Sequence, residues 1–514
     1  MSMTKSKNKA DQCLADDLLS SKEIDRSRPT VAPAMHPAVR AFLAEKDLVF
    51  SLIDGLGSPL NVIFPEHIEE TIARFQNVYD ERQLQGTIFY TSKPNKSLAL
   101  KRHAALTRVG LDVSSHGELM RALAAGFDPS RIEATGPKNL DYLSLAAFQG
   151  ILINVDNFTE LKQLIAMKSC LPQGKKIRIL VRLDGFDPGP VKFTAQDSAF
   201  AIRVKDAPEL IELLLEHRDL LDFVGFSFHF NAGDYIRRPA AIETCLKLTF
   251  ECIERGLSPR ALDIGGGYRI RYAASQDQWN AFIEELKSSV LGHRPSLCWN
   301  DSGLGFRKED GLLKGAPNFM EHYHANDGHE DFASVIDAPL SGFDGYSASR
   351  IISENLMDLY IEPGRALLDQ CGITLSRVNL VKPSILGETL VSLDMNRTNL
   401  NSTQLKLMTD PVVVHRRDNG TGTACNDGVM YVGNLCLTHD MIQYHKTFPD
   451  RIPEPGDVVA FINTAAYQMD FAETAVLEQR VAEKVAVIFR EGRFRWFADS
   501  LYNPVAIKLE GLNP

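Results

Sequence analysis

Eight short apolar or β-branched runs recur along this chain, and most are separated by longer stretches whose apolar residues lie three and four apart. No other feature restricts the fold so strongly. Strands alternating with amphipathic helices imply a parallel sheet, and eight such units close into a TIM (β/α)8 barrel with its chemistry where strands end and loops begin. The runs are Thr87 to Pro94, Gly110 to Ser115, Ile132 to Pro137, Ile151 to Asn157, Ile177 to Asp184, Val224 to Asn231, Ala261 to Gly267 and Leu359 to Arg365. Typical of the helical patterns are His116 to Gly126 and Ala207 to His217.

Past Arg365 the texture changes to β-rich segments such as Gly372 to Val381, Asp457 to Ile462 and Val481 to Phe489, set apart by Pro, Gly and Asn. A second, C-terminal all-β domain is expected, and 514 residues exceed what one core usually serves. The expected organisation is a flexible extension over residues 1–35, a segment 36–62 packing with the β domain, the barrel over 63–370, and a β-sandwich or β-barrel-like domain over 371–514. The 91 residues between Gly267 and Leu359 are far longer than the other gaps, so an inserted loop or lid is expected within about 270–355.

Composition narrows the partners. A net charge of -10 argues against a general nucleic-acid binder. No run of about 18 apolar residues is present, so no membrane span is expected. The first 35 residues mix Lys, Asp, Ser and Pro without the apolar core of a signal peptide. The eight cysteines lack C-x-x-C spacing, which predicts neither a zinc site nor a disulfide framework, and a reducing cytoplasm is the simplest home.

The polar residues at the strand ends suggest the chemistry. Lys93 closes the first run in YTSKPN, where Pro94 stiffens the backbone. A lysine aimed into a barrel mouth can form an imine with an aldehyde, although a solvated loop lysine satisfies the same residue. Gly265, Gly266 and Gly267 end the seventh run in LDIGGGY. Missing side chains let backbone N–H groups approach an anion, and barrels recurrently bind phosphate at strands seven and eight; the plainer reading is a tight turn. Glu362, Gly364 and Arg365 lie in IEPGR at the end of the eighth run. A buried carboxylate needs a cationic partner, and a protonated pyridine nitrogen such as that of pyridoxal 5'-phosphate (PLP) serves, while Arg365 offers a bidentate donor to a phosphate. Alternatively Glu362 and Arg365 pair with each other. His229 in FSFHFN can lie over a planar ring or be a hydrogen-bonded core residue, and Asp112 and Arg182 can each be half of a structural ion pair.

Taken together these residues resemble the barrel-type (fold type III) PLP decarboxylases, the family of diaminopimelate and ornithine decarboxylases. The resemblance runs from about Gly57 to Tyr467. It implies that Lys93 is the imine lysine, that Asp112 in GLDVSSHGEL supports it, that His229 stacks on the pyridine ring and that Arg182 lies near the cofactor. It makes the LDIGGGY glycines the phosphate loop, Glu362 the partner of the pyridine nitrogen, and Gly364 and Arg365 part of the cofactor site. VGNLCLTHD is similar to the family's cysteine motif, which implies that Cys436 is a proton donor reaching in from a partner subunit; NTAAYQMDF places Tyr467 against the phosphate. A homodimer with shared active sites is implied.

Two departures bear on the substrate. Where relatives handling diamino acids place an acid after the cysteine, this chain has Leu437, so a free distal amine is not expected; Leu437 and Asp440 are the candidate specificity residues. The segment Asp394 to Gln404 has no match to the residues that bind a distal carboxylate in diaminopimelate decarboxylases. The resemblance thus implies decarboxylation of an amino acid or amino-acid conjugate, with reprotonation by Cys436 or Lys93. The alternatives are a racemase or epimerase on the same fold, disfavoured because alanine-type racemases set an arginine against the pyridine nitrogen, and a non-catalytic PLP-binding protein, disfavoured because Lys93 and Cys436 are both present.

Overall fold

The computed structural model of the chain describes residues 24–172, 174–186, 199–231, 237–400, 406–417 and 422–510. All eight runs contribute a strand to one parallel sheet: Gln85–Thr91, Gly110–Val113, Ile132–Ala134, Leu152–Val155, Ile177–Asp184, Leu221–Ser227, Ala261–Asp263 and Asp358–Ile361. We refer to them as strands one to eight. Each pairs with the next, strand four joins strand five, and strand eight returns to strand one, which closes the barrel. Side-chain caps start the intervening helices, with Ser97, Ser115, Asn139 and Asn157 accepting the N–H groups of Leu100, Glu118, Tyr142 and Glu160.

Strand alternation divides the barrel into an outer and an inner face. Leu111, Val113, Ile132, Ala134, Ile153 and Val155 point outward into the main core beneath the helices. Inside, Phe89, Leu152, Leu180, Val224, Ala261 and Tyr360 form an apolar plug. One step toward the C-terminal ends, the inward positions fall on Thr91, Asp112, Glu133, Asn154, Arg182 and Asp263, on Ser227 beyond the irregularity in strand six, and on Glu362 just past strand eight. The layer nearest the mouth is therefore polar, where barrels ordinarily stack branched aliphatic side chains.

The β-rich unit is a mixed sheet in the order 412–414, 458–461, 372–383, 60–63, 483–490 and 493–498, with 389–393 bridging 372–383 to 429–432. The N-terminal strand Leu60–Ile63 sits in its middle, antiparallel to Gly372–Pro383 and parallel to Glu483–Arg490. Helices Pro37–Ala44 and Lys46–Leu56 cover one face through Val39, Phe42, Val49 and Ile53, so the unit is mostly but not wholly β.

Two expectations need correction. Residues 1–23 of the expected N-terminal extension lie outside the described residues, but residues 24–35 do not dangle. Val31 is fully buried among Trp279, Phe282, Leu286 and Met408, and backbone pairing joins Ala34 to Tyr272 and Ala274 to Ala32. The inserted segment is likewise no loose loop. It holds helix Gln276–Leu291, the hairpin Phe306–Glu309/Leu312–Gly315 and helices Gly328–Ile336 and Ala348–Glu354. It docks on the β-rich unit: Trp299 N–H donates to Tyr444 O, Lys446 N–H to Leu297 O, and Met408 N–H to His322 Nε2. A small apolar core that it shares with Val31, Met408 and Phe448 makes this segment a clamp between barrel and sheet.

Candidate active site

The first βα turn carries Lys93. Thr91 ends strand one, Ser92 N–H donates to Asp112 O, and the turn projects Lys93 into the open mouth with its side chain exposed. The β-rich unit holds this turn from the other side. Tyr467 N–H donates to Pro94 O at 2.9 Å, and Asn95 Nδ2 donates to Ala465 O at 2.7 Å. Tyr467 has φ of 72°, a left-handed conformation that a bulky residue keeps only where its surroundings hold it, as clamping to the Lys93 turn does here.

Strands seven and eight supply the opposite wall. A Cβ on Gly265 would come 2.6 Å from Phe228 O, one on Gly266 would come 2.2 Å from Glu362 O, and one on Gly267 would come 2.4 Å from Phe230 O. Gly265 and Gly267 also have positive φ. Arg238, buried in helix Arg237–Glu254, braces the loop by donating to Phe230 O at 2.9 Å, Gly266 O at 2.5 Å and Ile264 O at 3.3 Å. Because a trans peptide sets N–H opposite C=O, tying Gly266 O to Arg238 directs the Gly267 N–H the other way. Gly364 allows a similarly close approach, since its Cβ would meet Pro94 Cγ at 2.7 Å. Arg365 next to it donates to Tyr272 Oη at 2.5 Å and stacks its guanidinium over Tyr467 at 4.9 Å. Arg365 thus does not pair with Glu362.

Glu362 is 9% exposed and lies 3.4 Å from His229 Nδ1 through its Oε2. Burial lifts its carboxyl above the usual carboxylate range, while the charges of Arg182 and Lys93 pull it back. His229 Nδ1 accepts the Gly266 N–H at 3.2 Å, so that nitrogen carries a lone pair. Burial, reinforced by Arg182, Lys93 and Arg238, pushes the imidazole well below its ordinary pKa and keeps it neutral. Arg182 itself stacks over Phe200 at 5.2 Å. Asp112 is buried and raised, first by desolvation and then by Glu362, with Thr135 Oγ1 donating to it and Lys93 lowering it.

The structure thus gathers Lys93, Asp112, Arg182, His229, the three glycines, Glu362, Gly364, Arg365 and Tyr467 around one mouth. Cys436 and Leu437 are placed differently. Both are exposed on a loop of the β-rich unit, Leu437 at 55%. Asp440, expected beside Leu437 as a specificity residue, is 4% exposed and turned inward, where its carboxylate accepts the N–H groups of Arg397 at 2.9 Å and Leu435 at 2.8 Å. It holds the loop's shape. Glu133, Asp263, Arg238 and Tyr272 escaped the sequence reading, although the first two were signalled by an acid at inward parity in an otherwise apolar strand.

The residues fit PLP: a buried carboxylate for a pyridinium, an accessible amine on the turn opposite, and at the far end a guanidinium with closely approached glycine backbone.

Residues 66–306 match the family model described as "Pyridoxal-dependent decarboxylase, pyridoxal binding domain". The chain is 28% identical over 461 residues to the uncharacterized protein y4yA of Sinorhizobium fredii, covering 88% of this chain and 93% of that one. It is 26% identical over 451 residues to the diaminopimelate decarboxylase of Methanothermobacter thermautotrophicus, covering 86% and 89%. Among solved structures, diaminopimelate decarboxylase from Helicobacter pylori complexed with L-lysine superposes with a TM-score of 0.62 at 20% identity over 90% of this chain and 99% of that one. The Paramecium bursaria Chlorella virus arginine decarboxylase bound to agmatine gives 0.60 at 18% over 85% and 98%; these structural likenesses speak for the fold. No helix of the described residues is long and apolar enough to cross a membrane. PLP is the cofactor and carboxy-lyase the reaction class, and residues 66–306 match the pyridoxal-binding domain of the PLP-dependent decarboxylases.

Proposed function

We propose that this protein decarboxylates an amino acid or amino-acid conjugate whose far end carries no free amine, working as a cytoplasmic homodimer with shared sites. The observation that carries the reading is Glu362, a buried carboxylate beside His229 and within the fields of Lys93 and Arg182. When bound, PLP supplies the electron sink that drains the bond between Cα and the carboxylate. With PLP bound, Glu362 would hold the proton on the pyridine nitrogen and Asp112 would support the amine of Lys93. Neutral His229 would offer the ring a flat face, with Arg182 contributing charge nearby. Gly265, Gly266, Gly267, Gly364, Arg365 and Tyr467 form the phosphate end, where a bidentate guanidinium matches the anion.

Cys436 returns a proton to Cα from the partner subunit. The reading is supported by its exposure on a loop whose shape the buried Asp440 holds by accepting the Leu435 N–H. Leu437 from the same loop meets the substrate's distal end. Some relatives are diaminopimelate decarboxylases, and one fold neighbour is an arginine decarboxylase, both names of amino-acid decarboxylases. The test is incubation of the PLP-loaded protein with free and conjugated amino acids, following CO2 and amine by mass spectrometry. Release of both is expected, and Lys93→Ala abolishes it. Inversion at Cα without CO2 would overturn the proposal in favour of a racemase.

A further inference from the structure

Beneath the site just described, three carboxyl groups meet in the barrel's polar layer. Glu133 comes from strand three, Asp263 from strand seven and Glu362 from strand eight, and one oxygen of each lies within 4.8 Å of the others. Glu133 and Asp263 are each 0% exposed. Glu133 Oε1 accepts Asn154 Nδ2 at 2.9 Å, and Ser227 Oγ in turn donates to Asn154 Oδ1 at 2.7 Å, which fixes the amide's orientation. Asp263 Oδ1 accepts the Gly265 N–H at 2.7 Å. Their remaining oxygens, Glu133 Oε2 and Asp263 Oδ2, are buried without a protein donor. Lys93 and Arg182 act on Glu362, Lys93 also acts on Asp112, and buried Lys138, already paired with Glu160, interacts with Glu133 only through space.

Two adjacent carboxylates in such surroundings cannot both be ionised, because each is desolvated and each repels the other. We propose that Glu133 and Asp263 hold one proton between them, and that either acid of the pair is enough to keep one fixed negative charge under Glu362. The proton bridges Glu133 Oε2 and Asp263 Oδ2, the two oxygens otherwise left unpaired. Burial, followed by repulsion from the neighbouring acids, raises both carboxyls well above their ordinary range, as proton sharing requires. One charge on the pair strengthens the hold of Glu362 on the pyridinium proton, so the inference rests on the role proposed above for Glu362. The Gly265 contact also ties the pair to the phosphate loop: Asp263 must keep Oδ1 as an acceptor, so its other oxygen is the one that meets the proton.

The decisive measurement is infrared spectroscopy of apo- and PLP-loaded protein, reading the protonated-carboxyl stretch that shifts in D2O. Glu133→Gln and Asp263→Asn each replace one acid by an isosteric amide able to donate the same bond. Each single change is expected to remove the same one-proton band, and the double change to remove no more. Additive losses in the two single variants would mean two separately protonated acids, and a band untouched by either would place the proton elsewhere; both results overturn the proposal. Asp112→Asn serves as the reference for a raised acid in the layer that lies outside the pair. In the loaded enzyme the single variants keep PLP and activity within about threefold, whereas the double variant, lacking the fixed charge, loses about tenfold in kcat with KM held. Because the band is read without cofactor too, failure to bind PLP would overturn the role of Glu362 while leaving the shared proton tested.

Discussion

Gly266→Ala offers a sharp test of the site's geometry. The added methyl would sit 2.2 Å from Glu362 O and 3.1 Å from its carbonyl carbon. Ordinary carbon–oxygen approach is about 3.3 Å, so strands seven and eight must part by about 1 Å at their ends. Neither partner yields easily: Gly266 O is tied to Arg238 and its N–H to His229, while Glu362 N–H donates to Gly265 O at 3.0 Å. Overpacking of this kind costs about 1–3 kcal/mol. The displaced backbone belongs to Glu362 itself, so PLP affinity should fall at least about tenfold, or 1.4 kcal/mol. Thermal midpoints of the apo-protein and PLP dissociation constants by fluorescence give the two quantities. Gly117→Ala is the control, because its Cβ would meet nothing nearer than Ser115 Oγ at 3.9 Å and helix His116–Ala124 tolerates alanine well. If Gly266→Ala bound PLP as tightly as wild type at an unchanged midpoint, the close approach of these strands would be wrong.

Further expectations concern the loop, the substrate and pH. Cys436→Ala should retain PLP and the visible absorbance of the Lys93-linked cofactor but lose about a hundredfold in amine formation, as general-acid contributions run; unchanged turnover would reduce Cys436 to an exposed loop thiol. Leu437→Asp should raise kcat/KM on a free diamino acid by about tenfold or more and weaken the native substrate, since an unpaired buried ammonium costs several kcal/mol; wild-type turnover of free ornithine, lysine or diaminopimelate with kcat/KM of about 10⁴ M⁻¹s⁻¹ or better refutes that reading. The buried His67 and His445 are pushed down to about 4, in both cases chiefly by desolvation. Between there and an unfolded value near 6.5 the unfolded chain binds more protons, so stability is full above pH 6.5 and falls as pH drops toward 4, by up to about 1.4 kcal/mol per pH unit for each histidine. Thermal midpoints across that window should drop less in His445→Gln, and identical slopes would show that His445 is not buried neutral.

How much of this was legible beforehand depends on the range of the interactions involved. Strand identity is written locally, in apolar runs such as ILINV and IRILVRLD bounded by helical patterns, and all eight runs contribute barrel strands. The LDIGGGY glycines are legible for a related reason, because close backbone approach leaves no room for a side chain. By contrast, although residues 36–62 are expected to pack with the β domain, nothing in LNVI states that Leu60–Ile63 pairs antiparallel with Gly372–Pro383, some 300 residues away. The docking of the inserted segment is equally nonlocal: it rests on Val31, Met408 and Phe448 filling a core with Trp279 and Phe282. Asp440 shows a different failure. Its proximity to Cys436 in sequence suggested a substrate contact, but a four-residue turn brings its carboxylate back to the Leu435 N–H, and a buried acid takes the donors nearest to it.

Glu133 and Asp263 carry the lesson furthest. Each looks like a polar interruption in a strand, and each alone is an improbable choice for a barrel interior. Parity turns both inward, and chain closure brings strands three and seven to the same depth, where an acid that is costly alone gains a partner able to share its proton. The seventh strand then serves two masters within three residues. Asp263 faces the other acid, while Gly265, its hydrogen-bond donor, begins the turn that Arg238 braces from behind. Charge under the ring and backbone at the phosphate are therefore mechanically joined, so a change at one end of the cofactor site should be felt at the other through a single peptide contact.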